Sequence, residues 1–157
     1  MNTPAARARH VRVKTNGDGT TKAFWEFTST LGKLSDGERI ARINKGYSAL
    51  LVKQFRGGLG ISTATLGALL NLSASTIERR ERQHQALDSV ASERLDRIAE
   101  ISALARDVFE DEEAAARWLR SPNAALGGQS PVMLCSTELG SKQVRRVLHA
   151  LEWGGAA

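Results

Sequence analysis

Apolar positions recur along this chain at steps of three and four, the period of an α-helix with one buried face. Phe24, Phe27 and Leu31 share such a face within Thr21 to Leu34 and predict a short helix docked on the next domain. Asp36-Gly37-Glu38-Arg39 opens a second pattern carrying Ile40 and Ile43, interrupted at Asn44-Lys45-Gly46. Tyr47, Leu50, Leu51 and Phe55 form a third stripe, and Gly57-Gly58-Leu59-Gly60 reads as its stop rather than as a phosphate loop, since no Gly-Lys-Ser/Thr ending is present. Residues His84 to Ser92 join two halves. Beyond them Leu95, Ile98, Ile101, Leu104 and Val108 predict a helix of about four turns, with Glu93 facing Arg97 and an apolar spacing too broad for a coiled-coil seam. His10-Val11-Arg12-Val13-Lys14 alternates like a strand but has no pairing partner.

Two stretches carry clear punctuation. In the first, Ser62 caps a helix holding Leu66, Gly67, Leu69 and Leu70, Asn71 stands at a sharp turn, and Ser73 caps a second helix from Ala74 to about Gln83 with Ile77 facing inward. A small residue at 67, a turn residue at 71 and a β-branched residue at 77 have the spacing of a helix-turn-helix. In the second, Asp111 caps a helix with Glu112 and Glu113 in its first turn and Arg117 and Arg120 in its last, each end opposing its own dipole. Glu113 faces Arg117, Ala114, Ala115, Trp118 and Leu119 form the buried stripe, and Ser121 ends the helix before Pro122. Gly127-Gly128 supplies a turn and Ser130-Pro131 starts a brief helix through Leu134. From about Gly140, Val144, Val147, Leu148 and Leu151 mark a last amphipathic helix, with Arg145, Arg146, His149 and Glu152 on its wetter faces and a stop at Gly154-Gly155.

The run Ala-x-x-Trp-Leu-x-x-Pro-Asn-x-Ala-Leu-Gly-Gly-x-x-Pro, succeeded by Thr137-Glu138-x-Gly140-x-x-x-Val144 and a closing aromatic-Gly pair, resembles the toxin-binding domain of the Xre/MbcA/ParS-type antitoxins. The likeness covers roughly Leu95 to Gly155. It implies an antitoxin of a type II toxin-antitoxin pair whose partner is a RES-domain toxin, an enzyme that destroys NAD. Ser62 to Gln83 likewise resembles the DNA-binding helix-turn-helix of Xre-type repressors, with two departures: Asn71 stands where glycine is commoner, and Arg80 where an apolar residue would seal the second helix. The fold class expected is all-α, an N-terminal helix-turn-helix domain and then a small helical toxin-binding domain. The expected boundaries are a basic arm with a short helix at 1–35, the helix-turn-helix at 36–86, and toxin binding and dimerisation at 87–157.

Charge sharpens this division. Residues 1–35 carry six basic and two acidic side chains, 36–86 eight and four, and 87–157 eight and eleven, so the positive charge behind the net +5 resides in the first half. That is the asymmetry of a chain whose first half meets phosphate and whose second half meets protein. A recognition helix entering the major groove amino end first would bring Ser73, Ser75 and Thr76 to phosphate or base edges, with Arg79 and Arg82 reaching guanine or phosphate. The plainer reading is that Arg79, Arg80 and Arg82 pair with Glu78 and Glu81 and keep the helix wet.

Other classes fall away. With no apolar run near the roughly 20 residues of a membrane span, and no apolar block behind Arg7, Arg9 and Arg12, a cytoplasmic protein is the simplest reading. Cys135 has no second cysteine to pair with and reads as a small buried residue, and His10, His84 and His149 stand too far apart for a zinc site. The acidic run Glu110 to Glu113 is explained by the helix dipole. No catalytic set remains, so the expectation is a binder without cofactor or metal.

The resemblance implies that the last helix and its tail occupy the toxin's NAD cleft, making Arg145, His149, Glu152, Trp153, Gly154 and Gly155 the toxin-binding residues. Trp153 suits an anchor, since burying about 200 Å² of aromatic surface contributes up to roughly 5 kcal/mol before entropy costs. Alternatively Trp153 folds back on Val144 and Leu148 as a core plug; Trp118 is expected in the core. Homodimerisation is implied by the resemblance and suits a two-fold operator. The competing readings are a stand-alone transcriptional regulator whose C-terminal domain only dimerises, and an adaptor that does not touch DNA.

Overall fold

The computed structural model describes residues 19–154, so the basic arm, its alternating stretch and Gly155 lie outside the described residues. The described chain is all helical: α1 (Gly19–Leu31), α2 (Asp36–Lys45), α3 (Leu51–Leu59), α4 (Thr63–Leu70), α5 (Ala74–Arg82), α6 (Ser89–Phe109), α7 (Glu112–Arg120), a 3-10 turn (Ala124–Leu126), α8 (Pro131–Leu134) and α9 (Glu138–Glu152). Among these residues extended backbone pairs only in an isolated bridge between Ser48 and Ala86.

The 21-residue α6 is the axis, packing against α1, α2, α4, α7 and α9. It begins a turn and a half earlier than its large apolar residues suggest, because the Asp88 carboxylate accepts the Ala91 N–H and caps it. Its buried face includes Ala91, Ser92, Ala99, Ser102 and Ala105, small residues that let neighbouring helices approach but leave little hydrophobic signal. The joining segment is therefore short and tied down: Ala49 N–H donates to Gln85 O and Leu87 N–H to Tyr47 O.

The glycine run does end α3, but only at its last member and not at Gly57-Gly58. The helix runs through that pair to Leu59, and the left-handed terminator is Gly60 at φ 67°, whose N–H donates to Arg56 O. The diglycine is instead where α1 lies against α3: a Cβ on Gly58 would come within 2.0 Å of the Phe24 ring, and one on Gly57 within 2.5 Å of Thr20 Oγ1. Glycine's lower helix propensity is the cost of that approach. Phe24 then meets Phe55 edge-on at 4.9 Å, and Phe27 meets Tyr47 at 5.6 Å. Trp25, outside the anticipated stripe, is also buried, so α1 inserts a broad aromatic wedge.

Other positions depart from the helical pattern. Tyr47 precedes α3 instead of riding on it, Leu50 is exposed at the α3 start, and Ile40 is exposed on α2, where the capping box of Ser35 and Glu38 sets the helix entry. Glu113 reaches Arg120 at 3.1 Å, not Arg117. Trp118 is half-buried, leaning on Phe109 at 5.6 Å. Cys135 is fully buried and donates to Pro131 O.

Gly58→Ala is expected to destabilise the protein by about 1–3 kcal/mol through overpacking against Phe24; chemical denaturation measures this. Gly127→Ala, at a position with open space but φ 67°, tests backbone strain alone and should cost about 1 kcal/mol.

Candidate DNA-reading hairpin and toxin-binding helix

The hairpin of α4 and α5 is built from its caps inward. Ser62 Oγ accepts the Thr65 N–H at 3.1 Å, Asn71 takes φ 55° and ψ 43° at the end of α4, and Ser73 Oγ accepts the Thr76 N–H at 3.1 Å. Gly67 allows the turn to close, since a Cβ there would lie 2.6 Å from Leu72 O, while Ile77 seals α5 from beneath with no exposed surface. Asparagine in the left-handed region does what glycine would do, so the first departure is harmless.

Arg80 does not disturb the helix contact. Its guanidinium turns away and donates to Ala86 O at 3.1 Å, pinning the segment that leads into α6. Glu81 is drawn inward to Arg56, 3.8 Å away, while Arg56 also donates to Thr63 Oγ1, so this arginine knits α3, α4 and α5 together. Arg56 Nε and Glu81 Oε1 have no hydrogen-bond partner, which makes the contact coulombic. No helical period points to Arg56, because its partners are 7 and 25 residues away in sequence.

Exposed Arg79 and Arg82 are consequently left without a carboxylate partner among the described residues. Pairing with Glu78 and Glu81 does not form. Ser75 is exposed beside them and Thr76 half-buried; the Ser73 hydroxyl is committed to its cap and to Thr76 Oγ1 at 2.8 Å.

Between the hairpin and the C-terminal helices lies a buried carboxylate. Asp96, only 5% exposed, accepts Tyr47 Oη at 2.8 Å and the Arg39 guanidinium at 2.5 and 3.2 Å. The hydrogen bond to Asp96 raises the Arg39 pKa above its ordinary value, and burial, with the same carboxylate next in weight, pushes the Tyr47 phenol up. Arg39 also approaches Glu100 at 3.5 Å, and Glu100 receives Arg145 at 3.2 Å, so one chain of charges runs from α2 through α6 to α9.

The α9 helix is anchored as firmly at its start. Thr137 caps it, and Gly140 is needed where it crosses α8, since a Cβ would meet Leu134 O at 2.0 Å. Gly140, Ser141, Val144 and Leu148 are buried, with Val147 and Leu151 half-buried. Trp153 continues the turn, donates its N–H to His149 O at 3.1 Å, and is 85% exposed. It does not fold back on Val144 and Leu148.

Residues 38–100 match the antitoxin Xre-like helix-turn-helix domain, and residues 104–154 the antitoxin Xre/MbcA/ParS C-terminal toxin-binding domain. An antitoxin of Sphingobium sp. named Prs ADP-ribosylating antitoxin is 29% identical over 153 residues, covering 92% of this chain and 94% of that one. Antitoxin Xre of Pseudomonas putida is 33% identical over 115 residues, 73% of this chain and 70% of its own. The chain belongs to the Xre/MbcA/ParS family of antitoxins. It is the antitoxin of a toxin-antitoxin system and carries a helix-turn-helix domain.

The two matched domains meet inside α6 of this antitoxin, leaving no linker between them. Of the residues expected to bind toxin, the structure gathers His149, Glu152, Trp153 and Gly154 at one helix end, with His149 Nδ1 3.4 Å from Glu152 and Gly154 at φ 72°. Arg145 lies further back, held to α6 by Glu100. Among the described residues no group of His, Cys, Asp and Glu could hold a metal ion, and no helix is long and apolar enough to cross a membrane.

Asp96→Ala would leave Arg39 and Tyr47 without their shared acceptor and is expected to cost about 3–5 kcal/mol, read from denaturant midpoints. Burial pushes the Cys135 thiol up to about 12, so a thiol reagent at pH 8 should modify it only after unfolding.

Proposed function

We propose that this antitoxin neutralises a RES-domain toxin that degrades NAD, inserting the end of α9 and the tail from Trp153 through Gly155 into the toxin's active site. The observation that carries the reading is the 85% exposure of Trp153 on a helix whose opposite face is anchored in the core. A large aromatic presented in water at the end of an anchored helix suits a pocket on another protein, and the backbone that carries it is already ordered by the fold. The small residues behind it present little bulk to a narrow cleft.

The relative named for Prs ADP-ribosylation favours a second chemistry for the toxin, transfer of ADP-ribose to a protein. Both chemistries start from NAD, so the same plug would stop either. The protein itself acts as a cytoplasmic binder, not as an enzyme. It represses its own promoter as a homodimer, each α5 lying in a major groove with Ser75, Thr76, Arg79 and Arg82 towards the DNA and Ser73 at the helix end beside phosphate. The unpaired state of Arg79 and Arg82 supports this, because no internal ion pair has to break when phosphate binds.

Co-expression with the toxin tests the plug. Trp153→Ala should lower affinity by about 30- to 1,000-fold, and a chain ending at Ala150 should fail to restore growth; restored growth with that truncation would refute occlusion. Cellular NAD content together with mass spectrometry of ADP-ribosylated proteins separates the two chemistries. Replacing Arg79 and Arg82 by alanine should weaken operator binding and reduce the salt slope by about 2; unchanged mobility shifts would remove DNA from the account.

A further inference from the structure

The solvent face of α9 carries an ordered stripe that ends in the plug at Trp153 and runs back along the helix beyond it. Leu139, Lys142, Arg146, His149 and Trp153 succeed one another at steps of three, four, three and four, so they line up along one side of the helix over about 21 Å. Leu139 and Trp153, at its two ends, are 68% and 85% exposed. Lys142 and Arg146, in its middle, are exposed and have no ion-pair partner among the described residues.

The nearby carboxylates are already engaged: Glu138 by Arg97 and Ser141, Glu100 by Arg39 and Arg145, and Glu152 by His149. The stripe therefore has uncompensated positive charge between two apolar ends. Arg146 also lines an open groove of about 440 Å³ with Gln143 and Val147 of α9 and Ala125 to Gly127 of the 3-10 turn. A carboxylate reaching into that groove would meet a guanidinium able to bind it through two parallel hydrogen bonds.

We propose that this stripe is a second toxin-binding surface, which receives an acidic segment of the toxin: a carboxylate in the groove at Arg146, another opposite Lys142, and an apolar contact at Leu139. The inference rests on the occlusion reading, because it takes the molecule that accepts Trp153 to continue along α9. Helix rise then places the acidic groups about 10 and 16 Å from the pocket that holds Trp153. Opposite charges at that spacing would steer the helix into register before the aromatic enters, an effect on the association rate that salt suppresses.

The test measures association and dissociation of the full-length antitoxin with a catalytically dead form of its toxin at low and high salt. Lys142→Glu with Arg146→Glu should slow association at least 10-fold at low salt, weaken affinity about 100-fold, and flatten the salt dependence. The milder Lys142→Gln with Arg146→Gln should weaken affinity about 10-fold, which preserves the test if the double reversal misfolds. Lys53→Glu, an exposed cation on α3, should change neither rate. Loss of binding with Trp153→Ala beside wild-type rates in both double variants would overturn the second surface and leave occlusion standing. Full binding by Trp153→Ala would refute occlusion itself. Should the double variants alter the antitoxin's own oligomeric state while toxin binding is unchanged, the stripe is a contact between copies and the proposal fails.

Discussion

A carboxylate out of water is tolerable only where donors replace its hydration, and Asp96 has two, Tyr47 Oη and the Arg39 guanidinium. Tyr47 lies in the segment bridged to the start of α6, Arg39 on α2, and Asp96 on α6 itself, so satisfying one buried charge fixes three pieces of chain relative to one another. Ser92 adds a further tie by accepting the Tyr47 N–H at 2.9 Å. The α4–α5 hairpin buries Leu66, Leu69, Leu70 and Ile77 in the common core. Its orientation comes from α6, through Arg94 donating to Leu69 O, and from Arg56 and Arg80 at its edges.

Features written in local chemistry are legible in the sequence. Ser62, Ser73 and Asp111 each cap the helix directly after them, Asn71 and Gly127 adopt left-handed backbone, and each depends on residues within one turn. The helical hairpin and the amphipathic last helix are equally plain, since 3.6-residue periodicity is strong there. Nothing local singles out Asp96 and Arg39: they are 57 residues apart, and no period connects them. Gly57-Gly58 reads as a stop because glycine ends helices far more often than it accommodates an aromatic ring from another helix. The first turns of α6 escape the pattern because Ala91 and Ser92 bury themselves without hydrophobic contrast.

The candidate sites divide along the same line. That Trp153 stands at a helix end can be read from the glycines after it; that it faces water depends on Val144 and Leu148 filling the core without it. Which arginines are free cannot be read at all. Arg79 and Arg82 are unpaired because Glu81 is drawn to Arg56, and Arg145 is occupied because Glu100 stands opposite. In both cases a distant partner decides whether a cation belongs to the fold or to the surface.

Because α6 passes without a break from one domain to the other, the α4–α5 hairpin and the helix that carries the exposed tryptophan are mounted on the same beam. A tethered pair of modules would sample many relative poses; here the bearing of one end is dictated by the other. Cargo held at Trp153 would thus sit at a set azimuth around any duplex lying under α5, and steric compatibility between neighbouring copies along that duplex becomes a matter of geometry rather than of chance.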